Sequence, residues 1–85
     1  MRAPTIIFGR YRIRYRQVTH IKRYFFVDFL DEWGGWWKDI VRLSEYIKNE
    51  ELLQWFKFLT TEKDLKRFDI FMDKVRKYDN YLDQC

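Results

Sequence analysis

The run Arg10-Tyr11-Arg12-Ile13-Arg14-Tyr15-Arg16 limits most sharply what this chain can fold into. Side chains of an extended strand point alternately to its two faces. Arg10, Arg12, Arg14 and Arg16 therefore share one face, and Tyr11, Ile13 and Tyr15 share the other. A 3.6-residue period would spread the arginines around a helix. The stretch reads as an amphipathic strand with one side for a core and a row of cations on the other.

The charge distribution sharpens this picture. The net charge is +4, but residues 1–23 carry seven Lys/Arg and no acid. Residues 24–85 carry the other ten bases and all thirteen acids, a net of −3. A cationic patch on a weakly acidic body is the composition of a polyanion-binding surface. Arginine suits that role through its planar, bidentate donors.

The chain has 85 residues, the length of one small domain. Aromatic residues make up 21% of it, enough large apolar surface to build a core without staples. Its single cysteine, Cys85, has no partner for a disulfide and no His/Cys company for a zinc site. No leader pattern follows Met1, and no run approaches the roughly 18 apolar residues of a membrane span. The expectation is a cytoplasmic protein that does not use a membrane.

Thr5-Ile6-Ile7-Phe8 is a short β-prone run, and a bulge at Gly9 is expected to reconcile its side-chain parity with the arginine strand. A loop near 17–21 leads to a second strand over Lys22–Leu30, antiparallel to the first. Its Phe25, Val27 and Phe29 face one way; Tyr24, Phe26 and Asp28 face the other. Asp31-Glu32-Trp33-Gly34-Gly35 is a strong loop signal. Trp36, Ile40, Leu43 and Ile47 then fall at helical spacing. A second helix is expected after an Asn49 cap, with Leu52, Trp55, Phe56 and Leu59 as its stripe. A third follows Thr61 and Asp64, with Leu65, Phe68, Met72 and Val75, extended by Phe71 and Tyr78. Residues 80–85 are expected to fray. The predicted fold is one α+β domain over residues 1–85: an N-terminal antiparallel hairpin, or three strands, then three amphipathic helices on one sheet face.

Same-face residues on a strand lie about 6.6 Å apart, comparable with phosphate spacing along an extended nucleic acid. Arg10, Arg12, Arg14 and Arg16, with Lys22 and Arg23, are therefore the candidate nucleic-acid contacts. Charges that merely protect an exposed strand from aggregation are the plainer alternative. Tyr24 and Phe26 are candidates for stacking on bases. Tyr11 and Tyr15, opposite the arginines, are assigned to the core. Trp33 and Trp37, with Leu53, Phe58 and Ile70 off the main helical stripes, are candidates for a protein interface, including a homodimer.

Catalytic chemistry has little to stand on. His20 is the only histidine and has no identifiable partner. Asp28, Asp31 and Glu32 match no metal-loop spacing. No catalytic residue, metal or other cofactor is assigned. The leading expectation is a non-enzymatic protein that holds a nucleic-acid backbone, RNA favoured, and regulates or inhibits a nucleic-acid enzyme such as a nuclease or toxin. The alternative is a protein-interaction inhibitor gripping an acidic protein surface. A small toxin-type RNase using Arg12 and His20 is a minor third reading. In composition alone, the chain resembles small phage-encoded proteins that bind and inhibit host enzymes or defences. No motif carries that likeness.

Overall fold

A computed structural model describes residues 2–43, 51 and 61–84, apart from the side chain of Asp39. The described strands are β1 (Thr5–Phe8), β2 (Tyr11–Gln17), β3 (Arg23–Leu30) and β4 (Trp36–Leu43), followed by a helix, α1 (Glu62–Asp83). The strands form an antiparallel sheet in sequential order.

Gly9 is not a bulge. Phe8 pairs directly with Tyr11, so Gly9 and Arg10 form a two-residue hairpin turn with Gly9 at φ 57°. A left-handed residue at this position is what tight hairpins need, and glycine supplies it without strain. The turn also resolves the parity conflict. Ile6 lies opposite Ile13, and both are buried on the same face.

Three helices on one face are not what forms. The segment expected to begin the first helix is β4. It pairs with β3 through Leu43, Arg42 and Val41 opposite Phe25, Phe26 and Val27, and through Trp37 and Trp36 opposite Phe29 and Leu30. Between Val27 and Phe29 the register shifts, so residues 38–40 of β4 stand against Asp28 alone. The two extra residues leave the parity of β4 unchanged, but apolar residues occupy both parities, Trp36 and Ile40 on one and Trp37, Val41 and Leu43 on the other, so no two-residue alternation shows. The spacing of Trp36, Ile40 and Leu43 then imitates a helix. Of the expected second helix only Glu51 is described, and it is helical; Asn49, Leu52, Trp55, Phe56 and Leu59 lie outside the described residues. So do Leu53, Phe58 and Cys85.

The helix expected last does form. Thr61 caps it, its hydroxyl accepting from the Asp64 N–H at 3.1 Å. Phe68, Phe71, Met72, Val75 and Tyr78 pack on the sheet face made by Ile6, Phe8, Ile13, Tyr15, Phe25, Val27 and Leu43. Leu65, expected in that stripe, is exposed. Nor does the chain fray from residue 80: α1 continues to Asp83. Arg23 Nη2 donates to Asp83 at 2.7 Å and Nη1 to Asp79 at 2.9 Å, and the Tyr15 hydroxyl donates to the same Asp79 oxygen at 2.8 Å. These bonds fasten the last turns of the helix to β2 and β3.

Candidate functional site

The sheet face opposite α1 carries the arginine row. Strand register sets what each arginine meets: Arg12 lies opposite Asp28, Arg14 opposite Phe26, and Arg16 opposite Tyr24. On the far side of β3, Arg42 lies opposite Phe26. Tyr24 and Phe26 therefore share a face with the arginines, as their parity on β3 requires.

The inner part of the row is closed on itself. Asp28 is 0% exposed. Arg12 Nε donates to its Oδ2 at 2.7 Å; Arg14 Nε donates to the same oxygen at 2.6 Å and Nη2 to Oδ1 at 3.1 Å. Arg14 is itself only 9% exposed. Each guanidinium also lies over a ring, Arg12 at 4.5 Å from Trp36 and Arg14 at 5.3 Å from Phe26. Charges taken out of water must be paired and hydrogen-bonded to be tolerated. One carboxylate between two guanidiniums, with rings against them, meets that demand.

Arg10 is also committed. Its Nε and Nη2 both donate to the Leu30 carbonyl, at 3.1 and 2.9 Å, while its guanidinium lies over Phe29. Arg23 is held by α1. The hydrogen bond to Asp83 and then that to Asp79 raise its pKa above the ordinary arginine value, outweighing the opposite effect of burial. Of the six expected contact residues, four are thus tied to partners within the fold.

Arg16 and Lys22 differ. Both are exposed, and neither side chain donates to any described residue. Arg42 joins them. It is exposed, its guanidinium stands 4.3 Å from the Tyr24 ring centre, and no described carboxylate pairs with it. A helical reading of the segment from Trp36 onward hides Arg42, which stands on strand β4. Its shared parity with Trp36, on a strand, is the signal that would have revealed it. The result is a cluster at one end of the sheet: half-buried Tyr24 on β3, flanked by Arg16 on β2 and Arg42 on β4, with Lys22 just before β3. Strands lie about 4.8 Å apart and Arg42 stands opposite Phe26, two residues along from Tyr24, so the two arginines start roughly 12 Å apart on a diagonal across the tyrosine.

The other assigned residues lie elsewhere. Trp33, in the β3–β4 turn, is 89% exposed, and Trp37 and Ile70 are exposed as well. Ile70 is on α1, where it lines a hollow with Thr5 and Ile7 of β1. Asp31 is used by its own turn: its Oδ1 accepts from the N–H groups of Trp33 and Gly35 at 2.9 and 2.8 Å. Asp28, Asp31 and Glu32 are not gathered into one site. No group of three His, Cys, Asp or Glu among the described residues could hold a metal ion. The structure also does not gather Arg12 and His20, the pair weighed for RNA cleavage. Arg12 is clasped to Asp28, whereas His20 lies in the exposed 18–22 loop, its carbonyl accepting from Gln17 Nε2 at 2.9 Å.

No helix among the described residues is long and apolar enough to cross a membrane. No family model, curated protein or solved structure matches this chain.

Proposed function

We propose that this chain is a non-enzymatic, cytoplasmic binding protein that holds the backbone of single-stranded RNA at the Arg16–Tyr24–Arg42 cluster, assisted by Lys22. The observation that carries the reading is the Arg42 guanidinium over Tyr24 with no described carboxylate beside it, and Arg16 exposed on the adjoining strand. Guanidiniums with no anion beside them among the described residues suit phosphates, and a half-exposed tyrosine between them offers a stacking surface to a base. The contact is to backbone and ring face, so sequence preference should be weak. Through such a contact the protein would regulate or inhibit an enzyme that acts on the same nucleic acid.

The test is fluorescence anisotropy of a labelled single-stranded RNA titrated with the protein. Binding should weaken at least tenfold in the Arg16→Glu/Arg42→Glu variant, with the circular dichroism spectrum unchanged. Equal binding by that variant, or none by the native chain at low salt, rejects the reading.

A further inference from the structure

Strand β1 is an edge of the described sheet. The Tyr15 N–H donates to the Pro4 carbonyl at 3.1 Å, and Phe8 pairs with Tyr11 at the turn. Antiparallel pairs alternate between hydrogen-bonded and non-bonded positions. Residues 4, 6 and 8 therefore aim their backbone groups at β2, and Thr5 and Ile7 aim theirs outward. Arg67 from α1 confirms the direction, since its Nη2 donates to the Ile7 carbonyl. No described residue takes the Ile7 N–H or either backbone group of Thr5.

Beside this edge runs a groove. A hollow of about 380 Å³ is lined by Thr5, Ile7, Arg67, Ile70 and Lys74 among others. It adjoins a second hollow of about 270 Å³ lined by Arg2, Pro4, Lys74 and Lys77. Ile70 is 58% exposed and Ile7 46%. Among the described residues, no carboxylate lines either hollow. Lys77 is engaged by Asp73 at 3.1 Å and Arg67 by Asp64 at 3.3 Å, whereas Arg2 and Lys74 have no described anionic partner. The edge thus combines outward backbone groups, two exposed isoleucines and a cationic rim.

We infer that the β1 edge takes up an extended segment of another protein as an added antiparallel strand, one with acidic residues on either side of an apolar residue. Backbone pairing supplies affinity in such strand addition, and alternate side chains supply selectivity. Arg67 and Lys74 are seven residues apart, about 10.5 Å along the helix. Residues j and j+4 of a strand span about 13 Å, a difference that long arginine and lysine side chains cover. Acids at j and j+4 then meet Arg67 and Lys74, and an apolar residue at j+2 meets Ile70. Residues at j+1 and j+3 lie on the Ile7 side. A second copy of this chain fits poorly. Its own β1 lies in the acid-free first 23 residues, and a two-fold axis near Ile70 would set Arg67 of one copy against Lys74 of the other.

The probe is a fluorescein-labelled nonapeptide with Glu-Thr-Val-Thr-Glu at its centre, titrated by anisotropy with the full chain. A peptide with both glutamates replaced by lysine runs beside it. The acidic peptide should bind, and the lysine peptide should bind at least tenfold more weakly. Lys74→Glu, an exposed change, should cost about tenfold. Ile7→Pro removes one outward N–H at an edge, where proline is tolerated, and should cost at least as much. Equal binding of the two peptides, or no binding of the acidic one, overturns the inference. So does displacement of the peptide by single-stranded RNA at stoichiometric levels. A peptide-free dimer in sedimentation that Ile7→Pro dissolves would assign the edge to a second copy instead.

Discussion

The two faces of this sheet are built from alternate residues of the same strands, yet they are held together by different physics. On the α1 face, Ile13, Phe25 and Val27 meet Phe68, Phe71 and Val75, and stability comes from apolar area removed from water. On the other face, two guanidiniums, one carboxylate and the rings of Trp36 and Phe26 fill the equivalent place. Apolar packing degrades gradually as groups are trimmed. A buried ionic cluster depends on completeness, because removing one member strands the others. The same contrast divides the arginine row. Arg12 and Arg14 belong to the fold, whereas Arg16, and Arg42 two strands away, are exposed with no described anionic partner.

The sharpest way to break the contrast is Asp28→Ala. It leaves two guanidiniums without their anion and should destabilise the protein by about 3–5 kcal/mol in urea unfolding. Phe68→Ala should cost a similar amount, about 3–5 kcal/mol, through transfer and cavity effects. What separates the two sites is rescue. Replacing Arg12, Arg14 and Asp28 together by apolar residues of similar volume should recover most of the loss, since well-packed hydrophobic substitutes for buried ion clusters are often neutral or better. Failure of that triple variant to recover any stability would mean the cluster specifies the fold rather than filling space.

Asp79→Ala tests the fastening between sheet and helix. It removes acceptors for Tyr15 and Arg23 and should cost about 1–2 kcal/mol. The smallest effect belongs to Asp73, on the exposed side of α1. Lys77, then Arg76, hold its carboxyl below the ordinary value. Its stabilising contribution is present above the unfolded pKa of about 3.9 and fades as pH falls through the lower folded value. NMR titration should find its midpoint depressed, and Lys77→Ala should move it upward with little change in unfolding.

Particular residues show how far the amino-acid pattern reaches. The alternation in 10–16 revealed β2 and both its faces, because a two-residue period has no helical counterpart. Phe68, Phe71, Met72 and Val75 revealed α1 for the corresponding reason. Strand β4 was hidden because apolar residues stand on both of its parities, Trp36 and Ile40 on one and Trp37, Val41 and Leu43 on the other, which leaves Trp36, Ile40 and Leu43 at helical intervals. The clasp on Asp28 was not legible either. It depends on the register of β2 against β3, where a shift of one residue would send Asp28 to the other face. Without that register, Arg12 and Arg14 look as open as Arg16.

The arginine row divides into an inner pair clasped to Asp28 and an outer cluster proposed to bind RNA. The most direct measurement is the salt dependence of single-stranded RNA affinity. Each phosphate neutralised on a single strand contributes about −0.7 to the slope of log K against log salt. Contact through Arg16, Lys22 and Arg42 alone predicts a slope of about −2. A slope near −4, as expected if all of Arg10, Arg12, Arg14, Arg16, Lys22 and Arg23 reached phosphates, would contradict the division.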